Sequence, residues 1–275
     1  MTSSTSKSEP SAAQSQSVSE GTPRPIQAGS VASRKQILFA LFKREFMSYF
    51  RSPVAYVFLA VFLVASVSLT WFIGGFFDSN DASMHLFFDA LPWVYLFLIP
   101  SVGMRLWAEE KRSGTWELLF TYPVDVSLAV IAKFLAGWAF ISLALVFTVT
   151  MPITVAYLGE PDWGPIFTGY LAAILMAGAY LGICSLASAL TQNQVISFVI
   201  SFIVCLGLVL LGWSVFNDFL NMMGWPVAAV DFIANLGFIP HFEPMTKGLV
   251  TMGDLLFFFS LIGITLWLNT IVLER

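Results

Sequence analysis

The chain has 275 residues, of which 57% are hydrophobic and 11% charged, with a formal net charge of −4. Soluble globular domains carry about 25% charged residues; the deficit, with a mean hydropathy of +0.81, excludes that class and places the chain among membrane proteins. The net charge names no partner, because the charges segregate by loop, and no nucleic-acid partner is expected.

Residues 1–32 are rich in Ser, Thr, Gln, Ala and Pro. Such a segment cannot bury enough apolar area to offset its ordering entropy and is expected to be a disordered tail. It has no apolar stretch of the kind a signal peptide needs.

Residues 33–53, SRKQILFALFKREFMSYFRSP, follow. Ile37, Leu38, Leu41, Phe42 and Phe46 recur at helical spacing, with Lys43, Arg44 and Arg51 on other faces. This pattern predicts a basic amphipathic helix lying in the membrane interface, in contact with lipid. Pro53 ends or turns it.

Residues 54–275 hold six apolar runs that approach or exceed the roughly 20 residues needed to cross a bilayer. The expected spans are 54–76, 87–107, 128–157, 166–190, 195–216 and 254–272, the third bent near Pro152. Cys184 and Cys205 fall inside these runs and are read as packing residues; two thiols with no nearby His make no zinc pattern.

Seven of the thirteen Lys and Arg precede residue 54, and Arg105, Lys111, Arg112 and Lys133 flank the loop after the second span. Loops of the other parity hold Asp78, Asp81, Asp89, Glu160, Asp162, Asp218, Asp231, Glu243 and Asp254, with Lys247 their single basic residue. The excess of basic residues predicts that both termini are cytosolic. The long outer loop, 217–253, is expected to form one or two short helices dipping into the outer leaflet or packing over helix ends, because a plain loop would expose Phe232, Ile233, Leu236 and Phe238.

The inner loop after the second span is a charged cassette, EEKRSGTWELLFTYPV, residues 109–124. Ser113 or Gly114 can serve as N-cap of a short helix in which Glu117 satisfies a free amide and Leu118 supplies an apolar side. A helix with charges at its rim and hydrophobes on its face suits a groove in a soluble partner.

The pattern E-E-K-R-x-G-T-x-E-L-L-x-x-x-P after a second span closely resembles the coupling-helix region of ABC-2 type permeases, the six-span membrane subunits of ABC transporters. The stretch KREFMSYFRSP resembles that family's interface helix. The segment IPHFEPMTKGLVTMGDLLFFFSLIGITLWL resembles the end of its gliding-motility-type branch. The resemblance covers most of residues 34–275 and implies an all-α membrane protein of inner-membrane location. That fold has six spans, an N-terminal amphipathic interface helix, a cytosolic coupling helix and short extracytoplasmic helices before the last span.

It further implies a permease that pairs with a second subunit, identical or paralogous, and receives a cytosolic ABC ATPase on its coupling helix. Glu109, Glu110, Lys111, Arg112, Gly114, Thr115, Glu117 and Leu118 would form that interface, and Lys43, Arg44, Phe46 and Arg51 the interface helix. No catalytic or metal site is implied, and ATP and Mg would sit on the partner ATPase; these residues contain no phosphate-binding G-x-x-x-x-G-K-[ST]. The likeness favours export and allows a periplasmic auxiliary partner, while the largely apolar spans suit a lipid-linked, amphipathic or polymeric cargo better than a small ion.

Two rival readings are weaker. A secondary transporter or channel needs ionisable groups near the bilayer midplane, which these runs lack. An intramembrane enzyme needs E-E-x-x-x-R or H-E-x-x-H; Gly114 stands where the former needs Arg, and the latter is absent from these residues.

Overall fold

The first break in the chain falls where proline chemistry requires it. Helix α1, Arg34–Arg51, ends at Ser52, whose extended backbone (φ −96°, ψ 127°) precedes Pro53 at the first turn of α2, Pro53–Ser68. Proline lacks an amide hydrogen and disfavours helical geometry in the residue before it, so the helix must restart there. The computed structural model describes residues 33–73, 83–114 and 125–274. Of the chain's two units, Met1–Ser33 is described only at Ser33, and Arg34–Arg275 carries everything below.

Among the described residues the chain is all-α, without strands. A π turn, Leu69–Ile73, extends α2. Then come α3, His85–Gly103, α4, Ala108–Ser113, and α5, Val126–Phe147. A short break at Thr148 and Val149 separates α5 from α6, Thr150–Leu158. The remaining helices are α7, Trp163–Leu190, α8, Gln194–Gly212, α9, Ser214–Met222, α10, Val227–Ala234, α11, Ile239–Thr246, and α12, Met252–Glu274.

Six stretches are long and apolar enough to cross a bilayer: Pro53–Phe72, His85–Ser113, Val126–Leu158, Trp163–Leu190, Gln194–Gly212 and Met252–Glu274. The fifth stops at Gly212, short of the expected residue 216. Trp213 is extended (φ −81°, ψ 130°) and the chain turns into α9. The third bends at Thr148–Val149, where Pro152 leaves the preceding turn without one amide donor.

Helix α7 is the axis of the bundle. It packs against α3, α5, α8, α11 and α12. Of its most apolar stretch 83% is buried, against 28% for the first and fifth spans and 22% for the sixth. Alanine, glycine and serine dominate its second half, LMAGAYLGICSLASAL, and small residues let neighbouring backbones approach closely in a membrane. The three less enclosed spans turn apolar faces outward. On α12 the buried residues Asp254, Phe258, Ile262, Thr265, Asn269 and Leu273 form one helical stripe.

The long loop before the last span contains three short helices, α9, α10 and α11, where one or two were expected. Phe238 is fully buried and stacks on Tyr180, with centroids 4.7 Å apart. Phe232 and Leu236 stay exposed. The turn before α11 crosses the end of α8 backbone to backbone: a Cβ on Gly237 would lie 2.5 Å from the Gly212 nitrogen. The Phe238 amide donates to the Leu208 carbonyl at 3.1 Å across this contact.

Several hydroxyls that could have lined a polar path bond their own helices instead. Ser66, Thr70, Thr148 and Thr154 donate to the carbonyls of Phe62, Ser66, Leu145 and Thr150 at 2.6–2.9 Å. Such back-bonding satisfies a hydroxyl in an apolar setting.

Candidate functional site

The described part of the charged cassette, residues 109–114, continues from the second span as a short helix and its cap. After Gly103 the chain makes one turn, Met104–Trp107, and re-enters helix as α4, AEEKRS. Glu109, Glu110, Lys111 and Arg112 all lie on this single turn and a half. Glu109 and Arg112 are exposed, and Glu110 and Lys111 are half-buried.

Gly114 was expected at the start of a helix, and its geometry corrects that. It terminates α4 in the left-handed region, φ 70° and ψ 2°, with its amide donating to the Lys111 carbonyl at 3.4 Å. An N-cap residue has extended backbone; a left-handed glycine is the usual helix stop. Of the cassette residues expected to meet a partner, Thr115, Glu117 and Leu118 lie outside the described residues.

Two distant elements, α7 and α5, hold α4 in place. From α7, the Ser188 hydroxyl accepts from the Trp107 and Ala108 amides, both at 3.0 Å, and donates to the Met104 carbonyl at 3.0 Å. One serine thus bonds three backbone groups of a tight turn whose amides from Met104 to Leu106 donate to carbonyls of α3. The neighbouring Ser185 hydroxyl accepts from the Trp107 indole at 3.2 Å and from Asn269 of α12 at 2.6 Å. The Lys111 ammonium donates to the Ala189 carbonyl near the end of α7.

From α5 comes Lys133, whose side chain is only 6% exposed. Its ammonium lies 2.6 Å from Glu110 Oε1 and 3.3 Å from Glu45 Oε2, and 5.2 Å from the centre of the Trp107 ring. A buried ammonium is tolerated only when paired, and this one has two carboxylates and an aromatic face. Glu45 belongs to α1, so Lys133 joins the interface helix, the third span and the cassette in one ionic cluster.

Burial pushes the Glu45 carboxyl up, but the Lys133 ammonium and the adjacent Arg44 guanidinium, 2.7 Å away, outweigh it and hold it below its ordinary value. The Tyr49 hydroxyl, one turn further along α1, is raised by burial and by the Glu45 charge.

The expected interface-helix residues divide between two faces. Lys43, Arg44 and Arg51 are exposed, while Phe46 is half-buried between Phe42 and Phe50, with ring centroids 5.7 and 5.2 Å away. The end of α1 packs against α5. Tyr49 stacks on Phe140 at 4.9 Å, and Phe50 meets the same ring edge-on at 6.0 Å.

Between α1, the start of α2, the end of α3, α4 and α5 opens a groove of about 510 Å³. Glu45, Glu109, Glu110 and Lys133 give it a polar rim, and Phe58 and Phe140 an apolar wall.

Sequence reasoning missed Lys133, Glu45, Ser185 and Ser188 as parts of this site. Lys133 carried a usable signal: a lysine inside a long apolar run needs a counter-charge. The two serines carried none, because hydroxyls on a small-residue helix face look alike whether they pack or anchor. Cys184 and Cys205 are buried thiols within the core, as expected of packing residues. Among the described residues no cluster of His, Cys, Asp and Glu is arranged to hold a metal ion.

A model of the family described as "ABC-2 family transporter protein" matches residues 94–260. That interval contains α4, Lys133, Ser185 and Ser188. No curated protein matches the chain.

Proposed function

Because this chain belongs to the ABC-2 family of transporter proteins, we propose that it is the permease subunit of an ABC transporter, driven by ATP hydrolysis on a separate ATPase subunit. The carrying observation is the setting of α4. It is anchored to α7 through Ser188 and to α5 through Lys133, yet Glu109, Arg112, Ser113 and Gly114 remain on the exposed side. A rigidly held, charged end of a span is suited to act as a lever: force applied to it reaches the bundle through fixed contacts.

In this reading Glu109, Glu110, Lys111, Arg112 and Gly114, with Thr115, Glu117 and Leu118 beyond them, meet the ATPase, which holds the ATP and Mg. The cluster of Glu45, Lys133 and Glu110 passes the movement to the interface helix. ATP acts as a ligand that favours one of two packings of the spans. A second permease subunit, identical or paralogous, completes the membrane part. Both termini and the cassette face the cytosol, in keeping with the distribution of basic residues, and the membrane is the inner membrane of the cell.

The substrate class is amphipathic or polymeric and moves outward. The groove beside α4, polar at its rim and apolar at its wall, supports an amphipathic cargo better than a small ion. The likeness of residues 239–268 to gliding-motility-type permeases supports placement in that branch and an extracytoplasmic auxiliary partner on α9–α11.

Affinity purification of the tagged chain in mild detergent, with a cysteine introduced at Ser113 for labelling in intact cells, tests this. The expected result is co-recovery of an ABC ATPase and labelling from the cytosolic side alone. Labelling from the exterior, or recovery of intact permease without any ATPase, overturns it.

A further inference from the structure

The groove beside α4 carries a cation that the described residues leave unanswered. Its ionic cluster is closed: Arg44 pairs with Glu45 at 2.7 Å and Lys133 with Glu110 at 2.6 Å, so two cations meet two carboxylates. Arg105 lines the same groove and belongs to neither pair. Its Nε is buried and, among the described residues, has no hydrogen-bond partner, and its guanidinium makes no ion pair. Burying a guanidinium nitrogen without an acceptor costs free energy, so the position favours an acceptor from outside the chain.

The start of α2 adds donors to the same place. Ser52, Val54 and Ala55 line the groove. Ser52 makes no side-chain cap. Pro53 has no amide hydrogen, and the Ala55 amide donates to the Ser52 carbonyl at 3.1 Å, which leaves the Val54 amide without an acceptor in its own helix. An uncapped start of a 16-residue helix attracts negative charge and donates hydrogen bonds to it. A guanidinium and a helix N-terminus at one groove together suit a phosphate, which accepts from both.

The surroundings select the kind of phosphate. Phe58 and Phe140 form the apolar wall, of no use to a free anion but suited to the first part of an acyl chain. The groove lies where the first span begins, at Pro53, and where the second nears its end, at residues 104–106. Span ends lie at the level of the bilayer headgroups. A volume of about 510 Å³ is that of a small-molecule site and takes a headgroup, leaving the chains to the bilayer. Glu109 is exposed at the rim and, among the described residues, also makes no ion pair. A free cation inside and a free carboxylate at the rim match a zwitterion whose phosphate enters and whose amine stays outward.

We infer that this groove binds a zwitterionic aminophospholipid. Arg105 and the first amides of α2 hold its phosphate, Glu109 meets its amine, and Phe58 and Phe140 take the start of its chains. The bound lipid joins the first two spans to the interface helix at the foot of α4. The site stands on the geometry of the groove and not on an ATPase partner, so binding to the purified chain tests it apart from the permease reading.

Native mass spectrometry of the full chain, stripped of lipid in detergent, is the measurement. The probes are phosphatidylethanolamine, phosphatidylglycerol and diacylglycerol with the same acyl chains, with inorganic phosphate as competitor. Phosphatidylethanolamine should persist as an adduct, phosphatidylglycerol should be retained less, and diacylglycerol should be lost. A photoactivatable phosphatidylethanolamine should label residues 54–58 or 102–106. Arg105→Gln should weaken retention about tenfold or more, because a charge-assisted bond is lost. Lys247→Gln, at an exposed cation outside the groove, should leave retention unchanged. Diacylglycerol held equally well would mark a purely apolar surface, and displacement by inorganic phosphate a site for a soluble anion; either overturns the proposal. Phosphatidylglycerol held as tightly as phosphatidylethanolamine overturns the choice of a zwitterion. These headgroup comparisons use the unaltered chain and need no variant to fold. Undiminished retention in Arg105→Gln, or labelling confined to other segments, also overturns the site.

Discussion

Lys133 Nζ and Glu110 Oε1 lie 2.6 Å apart, joining a buried position on the third span to the charged helix at the end of the second. The two residues are separated by the undescribed stretch 115–124 and by most of the first turns of α5. The same ammonium also holds Glu45 of α1, at 3.3 Å. Removing it strands two carboxylates in a partly buried site. Lys133→Met is expected to lower stability by about 2–3 kcal/mol, toward the lower side of the range for breaking a buried pair because both acids keep some solvent. Combined with Glu110→Gln the losses should fall short of additive, by about 1 kcal/mol or more. Thermal unfolding of the purified protein in detergent measures both, and strict additivity would show that the pair is not coupled.

Docking of α1 should depend on pH through Glu45. Its carboxyl is held below the ordinary value of 4.5. A lowered folded-state value means that the charged form contributes stability, present above about pH 4.5 and lost as pH falls through the folded value. A dye on Met47→Cys, an exposed position on α1, should therefore gain mobility as the solution is taken from about pH 6 to 3. Glu45→Gln should show a mobile dye across that range. A dye whose anisotropy is the same in wild type at both ends would refute the ionic docking.

Ser188 serves three backbone groups at once, so Ser188→Ala leaves the Trp107 and Ala108 amides and the Met104 carbonyl with a lost partner. The expected cost is about 2–3 kcal/mol, since each unmet buried group costs about 1–3 and the turn can relax in part. Hydrogen exchange should accelerate in residues 104–114 and stay unchanged in the first half of α7. Uniform acceleration along the bundle would instead mark a general packing defect.

Gly114 ends α4 at φ 70°. Gly114→Val forces a β-branched residue into the left-handed region, at a cost of roughly 1–2 kcal/mol, or redirects the chain that follows. Among the described residues nothing lies within 4 Å of the added Cβ, so backbone conformation is the expected source of the effect. In the proposed complex this variant should insert in the membrane normally but stimulate its ATPase several-fold less. Unchanged copurification and unchanged hydrolysis would remove the cassette from the coupling role.

The six crossings were legible in the sequence because a span is a local property. About twenty consecutive apolar residues satisfy the bilayer whatever they pack against, and Pro53 and Pro152 mark breaks through their own backbone chemistry, whereas the stop before Trp213 left no such mark. The charged cassette was legible as a departure from that background. Its internal geometry was misread, since Gly114 can begin or end a helix and neighbouring residues do not decide between them. The apolar stripe of α1 marked a helix, but local periodicity carried no record that Tyr49 and Phe50 meet Phe140 of α5.

What the linear chain determined by itself is thus the membrane class, the helical fold and the position of the charged interruption, all consequences of a solvent that tolerates neither free backbone nor free charge. The tertiary structure alone decided which partners answer the buried charges and turns. Lys133 with Glu45 and Glu110, Ser188 with Met104, Trp107 and Ala108, and His241 with Asp254 and Asn235 are each set by how helices cross. A hydrogen bond or ion pair depends on distances of a few tenths of an ångström between atoms on different segments, and residue spacing along one segment carries no record of them.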